Sequence, residues 1–236
     1  MREEDIWVFY TYVDKVISNL AEIPLSVFDL CRIEKMRRKE DRERSLAGRL
    51  LLQHAIMNLN ISKDAICTIE WDKFKKPFIK SMYPFQFNIS HSGQCVVCAL
   101  TSGRVGVDIE KMDYRIDIND FADVFSQKEL DFIYAGSTPY RQFYKLWTLK
   151  ECVLKAQGTG FLTSPIEVLT LENPVRISGD CFYTHHTFMN DYSLSVAASI
   201  PSKNVYLSRI ELPGYRKFYE KEKRKPNITE SERWHV

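Results

Sequence analysis

Between residues 104 and 112 the chain reads RVGVDIEKM, and its polarity alternates strictly. In an extended chain Val105, Val107 and Ile109 share one face, while Gly106, Asp108 and Glu110 share the other. The β-branched face predicts a buried strand. The opposite face sets two carboxylates side by side, an arrangement that repels unless a positive charge stands near. Similar patterns run elsewhere. IWVFYTYVD (6–14) and CTIEWD predict strands, and FQFNISHSGQCVVCALTSGRVGVDIEKM predicts strand, turn, strand, turn, strand, with turns at Ser92-Gly93 and Ser102-Gly103. Helical spacing follows Pro24 and ends in KEDRERSLAGRLLLQHAIMNL, where Leu46, Leu50, Leu52 or Gln53, Ile56 and Leu59 recur.

The second stretch of the chain repeats this order. Ser126 stands three residues before Glu129 in SQKELDFI, the signature of a capping box at a short helix. RQFYKLWTLKECVLKAQG predicts an amphipathic helix stopped at Gly158, and IEVLTL, CFYTHHTFM and YSLSVAASI predict three strands. SLAGRLLLQHAI lies over LWTLKECVLKAQ, and QCVVCALTS over DYSLSVAAS, each at an offset of about 100 residues. The pattern is that of a diverged duplication. It divides the chain into an N-terminal half (1–104), a C-terminal half (105–213) and a charged tail (214–236) expected to be solvated.

Composition narrows the function classes. The 236 residues are 44% hydrophobic and carry a net charge of +2, which suits a globular protein and gives no argument for bulk nucleic-acid binding. No apolar run approaches the roughly 20 residues that span a bilayer. The acidic start MREEDIWVFYTYVD lacks the basic region of a signal peptide, so a cytoplasmic location is expected. Six scattered cysteines agree with a reducing compartment. Cys95 and Cys98 sit in the predicted strand CVVCAL, where positions three apart face opposite sides and do not share a metal.

On the second long helix Phe143, Trp147, Glu151 and Lys155 are four apart and form one stripe. If Glu151 faces Asp108 and Glu110, three anions meet without a histidine or cysteine, an all-oxygen set suited to Mg²⁺. Lys155, one turn on, is then placed for a phosphate oxygen, which makes a phosphoryl-transfer layout. Ser90 and His91, where FNISHSG enters a turn, add a hydroxyl and an imidazole able to hold a phosphate. The basic residues between Arg32 and Arg49 are interrupted by acids and read mostly as a solvated helical face. A Mg²⁺-dependent phosphohydrolase and a non-catalytic coenzyme A or nucleic-acid binding module also stand as readings of these residues.

GVDIEK, followed some forty residues later by LWTLKECVLKAQGTGF and preceded by FNISHS, closely resembles the 4′-phosphopantetheinyl transferases, best the longer single-chain surfactin-type (Sfp-like) branch. The likeness covers roughly residues 7–200. Cys152 stands where Ala or Ser is usual, and Lys75 replaces the glycine of a Gly-Lys-Pro segment, so adenine contacts are expected to differ. The resemblance implies an α+β fold of two pseudo-symmetric halves, each a long helix on a small antiparallel sheet, with the active site in the cleft between them. It implies transfer of the 4′-phosphopantetheine arm of coenzyme A to a serine of an acyl or peptidyl carrier protein, releasing 3′,5′-ADP. Asp108, Glu110 and Glu151 are the implied Mg²⁺ ligands, and Glu151 the implied base, directly or through a metal-bound water. Lys155 is implied at the pyrophosphate, with Lys150 as a supporting second phosphate contact. Ser90, His91 and Lys76 are placed at the nucleotide end, His91 on the 3′-phosphate, and Arg32 and Ser45 are matched to the family's N-terminal phosphate-binding positions. Trp147 is expected beneath the site. MDYRIDINDFADVF is the implied carrier-docking surface, with Ile116 and Phe121 as apolar contacts. A monomer is expected, because both walls of the cleft come from one chain, with no nucleic-acid or membrane partner.

Overall fold

The computed structural model describes residues 4–13, 32–61, 65, 69–74, 76–79, 85–159, 163–212 and 231–233. Strand β1 (Asp5–Tyr12) precedes helix α1 (Lys39–Asn58), and the short β2 (Ile69–Trp71) and β3 (Pro77–Ile79) form a hairpin of their own. Then come β4 (Gln86–Ser92), β5 (Cys95–Thr101) and β6 (Val105–Lys111). A 3₁₀ turn at Ile118–Val124 leads to α2 (Gln127–Ala135) and α3 (Pro139–Gln157). Four strands follow: β7 (Val175–Ile177), β8 (Asp180–Met189), β9 (Tyr192–Ala198) and β10 (Asn204–Arg209). The last, β11, is Ser231–Arg233.

The strands form two main sheets, ordered β11-β10-β1-β5-β4 and β6-β9-β8-β7. Alternation explains the layering. On β5, Cys95, Val97 and Ala99 join Ile6 and Val8 in packing against Val107, Ile109, Leu194 and Val196 of the second sheet. The intervening Val96, Cys98 and Leu100 pack instead under Ala47, Leu51, Ala55 and Ile56 of α1. The expected division of Cys95 from Cys98 is seen directly, and burial pushes the Cys95 thiol up to about 12. Helix α3 lies on the outer face of the second sheet, with Cys152, Val153 and Ala156 against Phe182 and Ala197. The layers therefore run helix, sheet, sheet, helix, and each fully buried aliphatic contributes about 1.5–3 kcal/mol to holding them. This is the expected α+β architecture.

β6 pairs with β9 and not with β5, Val107 opposite Val196. Two expectations are corrected. The stretch IEVLTL is no strand. Pro165–Glu167 makes a single 3₁₀ turn capped by Ser164, and Glu129 then captures the Thr170 backbone and hydroxyl. Finally, β10 pairs in parallel with β1 in the first sheet, so the residues 105–213 do not build one sheet alone. Within the tail, Ser231–Arg233 pairs with Tyr206–Ser208, while the rest of 214–236, like Lys75, lies outside the described residues.

Candidate active site

The motif FNISHS gains its meaning where the two sheets meet. β4 and β6 run side by side without a backbone ladder between them. Side chains at every second position of β4 take the place of carbonyls. Asn88 Oδ1 accepts from the Val107 amide at 2.9 Å, and Ser92 Oγ accepts from the Lys111 amide at 3.0 Å. Ser90 Oγ donates to Asp108 Oδ1 at 3.0 Å, and Ser92 Oγ to Glu110 Oε2 at 2.7 Å. The period of two thus lines three polar side chains of the first half against the acidic strand of the second.

On β6, Gly106 shares its face with Asp108 and Glu110, and it decides how α3 approaches. A Cβ there would fall 2.0 Å from the Cys152 carbonyl and 2.4 Å from the Ala156 amide. The bare glycine lets the helix backbone touch the strand, which sets Glu151 and Lys155 beside Asp108. Cys152, in the position where the resemblance implies Ala or Ser, is fully buried against this contact and donates to the Leu149 carbonyl at 3.2 Å.

The result is a cleft of about 330 Å³ lined by Ile89, Ser90, His91, Asp108, Glu110, Trp147, Glu151 and Lys155. Lys155 Nζ donates to Asp108 Oδ1 at 2.5 Å and to Ser90 Oγ at 3.0 Å. The other Asp108 oxygen, Oδ2, is buried without a hydrogen-bond partner. Burial, then Asp108, pushes the Glu110 carboxyl up to about 7, and the same two causes raise Glu151. Burial opposes the Lys155 charge, but Asp108, Glu151 and Glu110 outweigh it and raise its pKa. His91 is exposed at the cleft, and partial burial, then Arg44, hold it below the ordinary imidazole pKa. Trp147 stacks on Phe143 with ring centres 6.1 Å apart and closes one wall.

Other candidates lie elsewhere. Lys150, expected as a phosphate contact, points to the far side of α3. Its side chain is 1% exposed and pairs with Glu129 at 2.9 Å, and it donates to the carbonyls of Val168 and Pro165. At about 100° per residue, five positions along a helix leave a rotation of about 140°, so Lys150 and Lys155 face differently. Lys76, expected at the nucleotide, donates to three carbonyls, those of Lys155 (2.6 Å), Ala156 (3.1 Å) and Val105 (3.3 Å), and burial lowers its pKa to about 8. Arg32 lies over the Trp71 ring, and Ser45 donates to Met36 Sδ; neither lines the cleft. Phe121 packs edge-on against Phe143 and Trp147, and Ile116 sits partly buried on the same cluster, while Tyr114 is the exposed aromatic of that segment. Sequence reasoning missed Asn88 and Ser92, although their period of two with Ser90 was visible. It also missed Arg44, which donates to the Gly93 carbonyl beside His91.

Comparison with known proteins covers both halves. Residues 104–205 match the model of the 4′-phosphopantetheinyl transferase superfamily, and residues 20–103 match that of the 4′-phosphopantetheinyl transferase N-terminal region. The 4′-phosphopantetheinyl transferase ffp of Bacillus subtilis is 30% identical over 209 residues, spanning 82% of this chain and 92% of that protein. The chain belongs to the 4′-phosphopantetheinyl transferase family. It is of the Sfp-like type. Another Bacillus subtilis 4′-phosphopantetheinyl transferase is 29% identical over 232 residues, 88% of this chain and 97% of its own length. The Sfp protein of Bacillus subtilis strain 168 is 29% identical over 82% of this chain and 92% of that protein. The family's metal question meets two facts here. Among the described residues no group of three His, Cys, Asp or Glu side chains is drawn together as a metal cluster. Yet Asp108 Oδ2 is unpartnered, and Glu110 and Glu151, made less acidic by burial and then by Asp108, line the same cleft; oxygen donors of this kind suit a hard divalent cation. Among the described residues no helix is long and apolar enough to cross a membrane.

Proposed function

We propose that this enzyme transfers the 4′-phosphopantetheine arm of coenzyme A to a serine hydroxyl of an acyl or peptidyl carrier protein, and that it does so with Mg²⁺. The supporting observation is the meeting of Asp108, Glu110, Glu151 and Lys155 with Ser90 and His91 in one cleft between the two halves. The serine oxygen forms a new bond to the phosphorus nearer the pantetheine. The bond from that phosphorus to the bridging oxygen breaks, and 3′,5′-ADP leaves with the electron pair. Glu151 takes the serine proton, a task helped by the raised basicity of its carboxylate. Lys155 turns its ammonium to the pyrophosphate oxygens, and its neighbours keep it charged while it does so. Ser92 holds the Glu110 carboxylate in place, and Ser90 holds that of Asp108. His91 and Ser90 mark the nucleotide end, with His91 at the 3′-phosphate. Asp108, Glu110 and Glu151 would hold Mg²⁺, which would supply charge neutralisation on the pyrophosphate. The enzyme works as a cytoplasmic monomer with no nucleic-acid or membrane partner. Which carrier it serves sets its place among fatty-acid, polyketide or nonribosomal peptide synthesis.

The test is an incubation with coenzyme A, Mg²⁺ and an apo-carrier protein, read by intact mass. The carrier gains the mass of one phosphopantetheine arm. Unchanged mass across several carriers, with a folded enzyme, removes the transferase reading. Omission of Mg²⁺ in the presence of a chelator, with activity retained, removes the metal.

A further inference from the structure

Helix α3 ends at Gln157, and its last carbonyls have no partner within the helix. Gly158, at φ +79°, returns its amide to the Leu154 carbonyl. The next two carbonyls, of Lys155 and Ala156, receive Lys76 Nζ, which comes from the hairpin of the opposite half. The same ammonium reaches the Val105 carbonyl, where β6 begins. An ammonium has three protons, and these three carbonyls use them all. Asp72 fixes the lysine from its own side: one carboxylate oxygen accepts the amides of Phe74 and Lys76 at 2.8 and 2.9 Å. Lys76 also fills the space over Gly158, where an added Cβ would meet its Cδ at 3.1 Å.

We propose that Lys76 is a positioning residue of the transfer reaction: by binding the carbonyls of Lys155, Ala156 and Val105 it locks α3 and β6 to each other and to the first half. Lys155 is thereby held at both ends, its carbonyl by Lys76 and its Nζ by Asp108 and Ser90. The cation also sits at the negative end of the helix dipole, where it is favoured. The role rests on the transferase reading above, and it differs from a ligand contact in what it predicts.

The experiment compares Lys76→Met with the full-length wild type, using an apo acyl carrier protein for turnover and calorimetric titration of coenzyme A for binding. Misplacing Lys155 lowers kcat by roughly 10-fold or more, while the dissociation constant of coenzyme A stays within about threefold. In a Lys155→Met background the same substitution costs less than about twofold further, because its effect runs through Lys155. Weakened coenzyme A binding with kcat intact overturns the proposal and makes Lys76 a ligand contact. Full additivity with Lys155→Met overturns it as well. Circular dichroism checks folding. If Lys76→Met does not fold, Asp72→Ala loosens the hairpin without removing the ammonium and shows a smaller loss in kcat alone; an unchanged kcat there counts against the role. An inactive wild type is a different result, and removes the transferase reading itself.

Discussion

Two lysines on α3 each meet a buried carboxylate, and their surroundings separate them. Lys150 and Glu129 are both 1% exposed, and every neighbour is satisfied. Glu129 caps α2 through Ser126, binds Thr170, and takes Lys150 as its cation. Burial would raise the Glu129 carboxyl, but these hydrogen bonds outweigh it and hold its pKa low. Lys155 is 31% exposed, its partner Asp108 keeps one oxygen unpartnered, and two further carboxyls stand by with raised pKa values. The closed pair ties α2, α3 and the 164–170 loop together. The open pair leaves negative charge uncompensated at a cleft, which is where a ligand finds its binding energy.

The largest test of that contrast breaks the closed pair. Lys150→Met leaves Glu129 as an uncompensated buried charge and should cost about 3–5 kcal/mol of stability, read by urea unfolding. The double change Lys150→Met with Glu129→Leu should recover part of the loss, whereas a phosphate-binding Lys150 would show its main effect in coenzyme A affinity. The open pair behaves oppositely. Glu151→Gln should lower turnover roughly 100-fold or more with little change in unfolding midpoint. Near-normal turnover would show that the reacting groups lie elsewhere. Gly106→Ala acts on both at once. A Cβ between β6 and α3 forces them apart and should cost about 1–3 kcal/mol, with turnover falling alongside.

The last effect depends on pH and concerns His186, away from the cleft. Burial, then Lys145 and Arg141, lower its pKa from 6.5 to about 3, and its Nε2 lies 3.0 Å from Ser193 Oγ. Below pH 6.5 the unfolded chain takes up a proton that the folded chain refuses, so this contribution to stability is present above pH 6.5 and is lost as pH falls toward 3. His186→Gln should flatten the fall in melting temperature between pH 6.5 and 4. An unchanged slope would show that the ring titrates normally in the folded protein.

Much of the site was legible because it lies on regular elements. The alternation of GVDIEK put Asp108 and Glu110 on one face, and the spacing of four put Trp147, Glu151 and Lys155 on one stripe; all five line the cleft. Lys150 was misjudged because motif membership says nothing about azimuth, and a rotation of about 140° from Lys155 sends it into the core. The carbonyl contacts of Lys76 could not be read from the sequence, because the helix end that supplies them belongs to a segment 79 residues away. Ser92 and Asn88 needed the seam itself to be seen, since their partners are backbone amides of another strand.

By itself the sequence determined which residues share a face, where the long helices and most of the strands run, the α+β class and the family. Those properties follow from local periodicity and from residues near one another in the chain. Only the tertiary structure decided that β6 leaves its meander for the second sheet, that β10 returns to the first, and that Glu151 and Lys155 stand beside Asp108. Those outcomes depend on backbone pairing and on the close approach of α3 at Gly106, and both are contacts between segments whose separation along the chain carries no record of their distance in space.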